Sequence, residues 1–308
     1  MKVAFFGTPT FAIQSLQSII ASKNHKVVCV VTQPDKPTGR GGKVQMPPVK
    51  EFAVQNNIPV LQPERISNEI NILDEFAPDI IVTCAFGQLL KQNVLDYCKH
   101  GVINVHASLL PKYRGSSPIQ WAIIDGETQT GVTIMQTELG LDTGDIIIME
   151  KLDINPNETA GELFGRLADL GAKLLTKALD NIQNGTATRT PQKHELATKP
   201  PMIKKEDGKI DWSRSAAQIK NQIRGMNPWP IAFFQMGDEI IRVHRAGNVT
   251  TQIKGKVGEV ITADKTGFVI QCGNGTIHIE QLQSSGGKIL SYREFLNGKK
   301  IPTGTILG

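Results

Sequence analysis

Asn104 and His106 stand two residues apart at the end of an apolar run, Gly101–His106 (GVINVH). In a strand, that spacing turns both side chains to the same side. One amide donor and one titratable imidazole then face a common space. Further along, Leu141-Asp142-Thr143-Gly144-Asp145 makes a glycine-flanked acidic loop. These side chains match the needs of acyl transfer to an amine. The attacking nitrogen must lose a proton, and an imidazole can take or shuttle it near neutral pH. The carbonyl oxygen gains negative charge, and Asn104 can donate to it. A carboxylate near the ring, such as Asp142, holds it and favours its charged form. No covalent nucleophile is required, and the absence of GxSxG argues against a serine hydrolase of the α/β class. Taken singly, a strand-end histidine is more often structural and an aspartate in such a loop more often a turn former. Together they mark a site without naming a substrate.

The elements that must position these residues alternate between strand and helix. Lys2–Phe6 is a short apolar strand followed by Gly7-Thr8-Pro9 and a periodic run through Ile20. Thr8 is expected to cap that helix and Pro9 to sit in its first turn. Lys26–Thr32 and Asp79–Ala85 are continuous β-branched runs, as strands buried on both faces should be. Helices are expected over Pro47–Asn56, Asn68–Phe76, Ser117–Asp125 and Ala160–Asn184, and strands over Thr130–Thr137 and Asp145–Glu150. This alternation predicts an α/β, Rossmann-like domain with a mainly parallel sheet, whose ligands lie beyond the carboxyl ends of its strands. One glycine in the opening turn falls short of a dinucleotide fingerprint. Gly39-Arg40-Gly41-Gly42-Lys43 has the wrong spacing for a P-loop. Residues 33–46 read instead as a long exposed loop carrying Lys36, Arg40 and Lys43 against Asp35 alone.

Residues 190–208 are polar, aperiodic and rich in Lys and Pro, as a linker would be. The expected division is 1–189, a linker over 190–208, and 209–308. The last part opens with a helix, Ala216–Met226. Five β-like runs follow: Ile231–Met236, Glu239–Ala246, Gly255–Thr262, Gly267–Cys272 and Thr276–Gln283. Five short strands suit a C-terminal OB-like β-barrel, a common nucleic-acid scaffold. Charge agrees with two tasks. Residues 1–200 hold 19 Lys and Arg against 20 Asp and Glu, a net of −1; residues 201–308 hold 15 against 9, a net of +6. A basic last third fits contact with a polyanion.

The chain has 308 residues, 40% of them hydrophobic, enough to bury two cores. No apolar run approaches the roughly 18 residues that span a bilayer, and the start lacks the features of a secretory signal. The four cysteines show no CxxC spacing, so neither a disulfide framework nor a structural zinc site is expected. A cytoplasmic protein is expected, and a monomer, since no long exposed apolar helix is evident.

The stretch Asn104-Val105-His106-Ala107-Ser108-Leu109-Leu110-Pro111, with Leu141–Asp145, resembles the 10-formyltetrahydrofolate-dependent formyltransferases. Phe6-Gly7-Thr8-Pro9, Thr32-Gln33-Pro34-Asp35, Tyr113-Arg114-Gly115, Gly131–Met135, Ile210-Asp211-Trp212 and Arg224–Pro230 extend the resemblance over essentially the whole chain. Ala107 stands where the family commonly has glycine. The resemblance implies transfer of the formyl group of 10-formyltetrahydrofolate to methionine on initiator tRNA, without a metal. It implies that Asn104 stabilises the oxyanion, that His106 moves a proton or, if charged, stabilises the same oxygen, and that Asp142 orients His106 and an ordered water. Ser108, Leu109, Leu110 and Pro111 would line the folate site. Phe86, Gln88 and Leu89 would flank the pterin, with Gly140 and Asp145 in the loop that binds it. Lys36, Arg40 and Lys43 would form an arm at the acceptor stem. Lys204, Lys205, Lys209, Arg242, Arg245, Lys254 and Lys256 would be candidate phosphate contacts. The nearest alternative acceptor is a UDP-amino-sugar. Hydrolysis of the formyl donor is a second alternative, and a non-catalytic RNA-binding protein a third.

Overall fold

The computed structural model describes residues 1–38 and 42–308, so Arg40 lies outside the described residues. In chain order the first elements are β1 (Lys2–Gly7), α1 (Phe11–Ala21), β2 (Lys26–Val31), β3 (Lys36–Thr38), β4 (Lys43–Gln45), α2 (Pro48–Gln55) and β5 (Val60–Leu61). Then come β6 (Ile80–Cys84), α3 (Gln92–Leu95), β7 (Val102–His106), α4 (Pro118–Ile124), β8 (Gln129–Gln136), β9 (Ile146–Asp153) and α5 (Ala160–Gln183). The remainder are α6 (Ala216–Gly225), β10 (Ala232–Met236), β11 (Glu239–Thr250), β12 (Val260–Asp264), β13 (Gly267–Gln271), β14 (Thr276–Gln283), β15 (Leu290–Ser291) and α7 (Tyr292–Gly298). Among the described residues no helix is long and apolar enough to cross a membrane.

Seven strands form one sheet in the order β5-β2-β1-β6-β7-β8-β9. The pairs from β5 through β7 are parallel, and β8 runs antiparallel to β7. The β-branched runs give this result because both faces of the inner strands are covered. Val3, Phe5 and Phe6 on β1 and every residue from Ile80 to Val82 on β6 have no exposed surface. One face packs Ala4, Phe6, Cys29, Val31 and Ile81 against Ile66, Leu73 and Val94.

Three local expectations change. Thr8 does not cap α1: Thr10 holds the N-cap position without a side-chain cap, and the Thr8 hydroxyl donates to the Phe86 carbonyl at 2.9 Å. Residues 68–76 do not form one helix. Short 3-10 turns cover Ile66–Asn68 and Ile70–Leu73, separated by Glu69 at φ −128°. The Glu69 carboxylate turns back to accept from the Arg65 N–H at 3.3 Å, and the Ser67 hydroxyl accepts from the Lys91 N–H at 3.2 Å. Within 33–46, where a long exposed loop was expected, β3 and β4 pair as an antiparallel hairpin.

The C-terminal strands form an antiparallel sheet in the order β10-β11-β14-β13-β12, with β15 beside β14. Its core contains Trp212, Phe234, Val243, Phe268 and Ile279. A capping box starts α6: the Ser215 hydroxyl accepts from the Gln218 backbone and the Gln218 side chain returns to the Ser215 N–H. The helix buries Ala216, Ile219 and Ile223. The third strand begins at Val260 instead of Gly255, because Gly258 turns with φ +80° before pairing can start. Two compact units result. One gathers Met1–Gly115, Thr130–Leu152 and Phe164–Pro200. The other gathers Ser116–Gln129, Asp153–Leu163 and Pro201–Gly308.

Cys29, Cys84, Cys98 and Cys272 are all free and buried. Burial pushes each thiol from its ordinary 9.0 up to about 12. The charged form is therefore favoured only in the unfolded chain. Stability should hold below about pH 9 and fall as pH rises toward about 12. At about pH 8 the native chain should resist a thiol reagent, and all 4 cysteines should react in denaturant. A native thiol that reacts as fast as a free one would contradict this core.

Candidate active site

β7 delivers the two polar residues named first. Thr83 on β6 lies level with Asn104, and Thr133 on β8 lies level with His106. The Thr83 hydroxyl donates to Asn104 Oδ1 at 2.8 Å, with the Ile103 carbonyl at 3.2 Å. That contact fixes which end of the Asn104 amide faces outward. Its Nδ2 group has no acceptor among the described residues. A half-buried amide donor is therefore left for a ligand.

His106 is buried, and its Nε2 lies 2.9 Å from the Tyr113 carbonyl oxygen. A carbonyl only accepts, so Nε2 carries the proton in the neutral ring. Nδ1 is thereby the nitrogen free to gain or lose one. It lies 3.7 Å from Asp142 Oδ2. This exceeds a direct hydrogen bond but suits charge attraction or one bridging water.

Asp142 reaches that place on a loop that doubles back. The loop leaves β8 level with the foot of β7, where the Thr137 N–H donates to the Val102 carbonyl at 2.8 Å. His106 lies four residues up the strand, or about 13 Å. Asp142 adopts φ +51°, and its Oδ2 accepts from the Gly115 N–H at 2.7 Å. Gly144 is required for close approach, since a Cβ there would sit 2.1 Å from the Gln136 carbonyl. A cavity of ≈ 450 Å³ beside this loop includes Gly140, Gln92 and Asp96 but none of Asn104, His106 and Asp142.

The turn after β7 is stitched internally. The Thr133 hydroxyl donates to the Ser108 carbonyl at 2.7 Å and accepts from the Leu110 N–H at 3.3 Å. Ser108 donates to the Lys112 carbonyl at 2.6 Å. Ser108 and Leu110 are buried and build the turn. Leu109 and Pro111 remain half-buried. Phe86 is also a core residue, 4% exposed with its ring 5.1 Å from Phe6. Gln88 is occupied elsewhere: its oxygen accepts from the Ile66 N–H at 2.9 Å, and its amide points to the Pro63 and Glu64 carbonyls. Leu89 stays open at 83% exposure, as do Leu139, Gly140 and Leu141; Asp145 is half-buried, and its carbonyl accepts from Gln136.

Sequence reasoning missed several residues that hold the site. Thr83 is one; its only signal was a lone hydroxyl inside the apolar run of β6. Thr8 and Gln33 are others. They fasten the 85–89 loop by donating to the Phe86 carbonyl at 2.9 and 3.3 Å. Nothing in their spacing marks them.

Lys36 and Lys43 lie on the β3–β4 hairpin. Asp35, the one acid beside them, is taken by Lys50 at 2.7 Å and by Gln62 at 2.8 Å. Hydrogen bonds from these two groups hold its carboxyl below the usual range. Lys204, Lys205, Lys209, Lys254 and Lys256 are exposed, Arg242 is half-buried, and Arg245 pairs with Glu162 at 3.1 Å. Among the described residues no three His, Cys, Asp or Glu side chains converge as a metal site would.

Comparison with known proteins places this arrangement. Residues 1–179 match the formyl transferase family model, and residues 202–300 match the formyl transferase C-terminal domain model. A methionyl-tRNA formyltransferase of Alkaliphilus oremlandii is 45% identical over 310 residues, covering 100% of each chain. One from Acetivibrio thermocellus is 44% identical, again over 100% of both chains. In structure, an N-formyltransferase from Helicobacter canadensis, solved with folinic acid and dTDP-3-aminofucose, superposes with a TM-score of 0.67. It is 24% identical, and the match covers 91% of this chain and 98% of that one, a likeness of fold. Its acceptor is a sugar, so fold alone does not separate the acceptors; identity along the entire length does, and the chain belongs to the methionyl-tRNA formyltransferase family.

Proposed function

We propose that this enzyme transfers the formyl group of 10-formyltetrahydrofolate to the α-amino group of methionine on initiator tRNA. The observation that carries the chemistry is the open Nδ2 of Asn104 beside a His106 whose Nδ1 faces Asp142. The amine nitrogen bonds to the formyl carbon, and the carbonyl electrons move to oxygen. Asn104 Nδ2 donates to that oxygen as its charge develops. His106 Nδ1 is the atom that can accept the proton the amine loses and return it to the folate nitrogen as the old C–N bond breaks. Asp142, its Oδ2 3.7 Å from Nδ1, orients the ring through those two transfers.

The exposed side chains of Leu89, Leu139 and Leu141 offer apolar surface to a flat ring, and Leu109 and Pro111 add to it. In this reading residues 1–189 carry the chemistry and 209–308 hold the tRNA through phosphates. Lys36, Arg40 and Lys43 act as the arm at the acceptor end. Lys204, Lys205, Lys209, Arg242, Arg245, Lys254 and Lys256 are the candidate phosphate contacts. The net of +6 over residues 201–308 supports that division. The enzyme acts as a monomer in the cytoplasm, where charged initiator tRNA meets the folate pool.

The test offers methionyl initiator tRNA and a UDP-amino-sugar side by side, with formyl incorporation from 10-formyltetrahydrofolate as the readout. Formylation of the charged tRNA alone is expected, with a rate that falls steeply as salt rises. Formylation of the sugar alone would keep the catalytic roles and overturn the assignment of the last third.

A further inference from the structure

Gln192 falls in a stretch whose composition reads as linker, yet it is only 5% exposed. Each of its hydrogen-bonding positions is used. Its Oε1 accepts from Arg114 Nε at 3.1 Å and from Arg114 Nη2 at 2.7 Å. Its Nε2 donates to the Asp142 carbonyl at 2.9 Å and to the Gly144 carbonyl at 2.7 Å. A two-armed guanidinium grip on one oxygen leaves the amide a single orientation, with both N–H groups aimed at the acidic loop.

The loop needs such a hold. Asp142 sits at φ +51°, a left-handed turn that few residues with a side chain adopt, though aspartate tolerates it better than most. The Gln192 amide binds the carbonyl of that same residue. The neighbouring backbone is fastened from the same strap. The Thr198 hydroxyl accepts from the Tyr113 N–H at 2.8 Å, and the Thr198 carbonyl accepts from the Arg114 N–H at 2.9 Å. Tyr113 supplies the carbonyl that orients His106, and Gly115 supplies the N–H that holds the Asp142 carboxylate. Residues 192–198 thus stand behind both partners of the His106–Asp142 pair.

We propose that Gln192 is a positioning residue for formyl transfer, acting through Asp142, and that Arg114 orients it. The proposal rests on the role given above to Asp142. Without the two donated hydrogen bonds the loop is free to relax from its left-handed turn, and the carboxylate drifts from His106. A displacement of about 1 Å at such a pair costs as much as 10²-fold in rate.

Single-turnover transfer separates the possibilities when run on Gln192→Ala, Gln192→Glu, Asp142→Asn and the double variant Gln192→Ala/Asp142→Asn. Both Gln192 variants should slow transfer about 10- to 100-fold. Gln192→Glu keeps its grip on Arg114 but can no longer donate to the two carbonyls, so rates are compared below the melting midpoint of each variant. The double variant should be no slower than Asp142→Asn alone. A Gln192→Glu enzyme with wild-type rate beside a slow Asp142→Asn would overturn the proposal and spare the Asp142 assignment. Multiplying effects in the double variant would place Gln192 on some other step and also overturn it. An Asp142→Asn enzyme with wild-type rate would sink the underlying reading and the proposal with it.

Discussion

His106→Ala should slow single-turnover formyl transfer by about 10²- to 10⁴-fold, the usual loss when a positioned acid or base is removed. The side chain is buried and fixed by one bond to the Tyr113 carbonyl, so its removal leaves β7 intact. Folate binding should change little, and the melting midpoint should fall modestly, since a buried side chain and its bond to the Tyr113 carbonyl are lost. The pH profile of kcat/KM separates the two parts His106 can play. A base must begin unprotonated, so its loss abolishes the fall in rate on the acidic side. A charged donor must begin protonated, so its loss abolishes the fall on the alkaline side. A variant that transfers formyl near the wild-type rate would remove His106 from the chemistry altogether.

Asn104→Ala should cost about 10²- to 10³-fold in the same assay, the typical loss of one oxyanion donor. Under the proposed function the donor meets charge that develops only during reaction, so the effect should fall on kcat and not on folate affinity. Thr83 makes this prediction sharper. Thr83→Val removes the hydroxyl that holds Asn104 Oδ1 and keeps the side-chain shape. The amide is then free to turn its oxygen outward, and rate should fall about tenfold. Thr83→Ser retains the hydroxyl and should recover most of that loss. Equal rates for the Val and Ser variants would mean that the Thr83 contact does not orient the amide.

The parallel sheet was legible because its strands are written as unbroken β-branched runs, such as KVVCVV in β2. Asn104 and His106 were legible because alternation along one strand is a local property. Asp142 could be named from its glycine-flanked loop. The route by which it comes back to His106 could not, since that depends on hydrogen bonds to the Gly115 backbone, which is distant in sequence. The contacts of Phe86 and Gln88 were no more legible: Phe86 packs beside Phe6 and Gln88 holds the 63–66 segment. Position in the chain does not reveal which way a loop side chain turns. Gln192 was hidden for a further reason: a polar stretch reads as solvated until a buried Arg114 is known to face it.

The thiols carry a practical consequence. Cys29 and Cys98 belong to one core and Cys272 to the other, and all four cysteines are out of reach of solvent. A cysteine introduced at Val44, 65% exposed on the β3–β4 hairpin, would then be the sole exposed thiol. One fluorophore attached there would test whether the hairpin meets the acceptor end, as the proposed function has it, with the native sequence otherwise untouched.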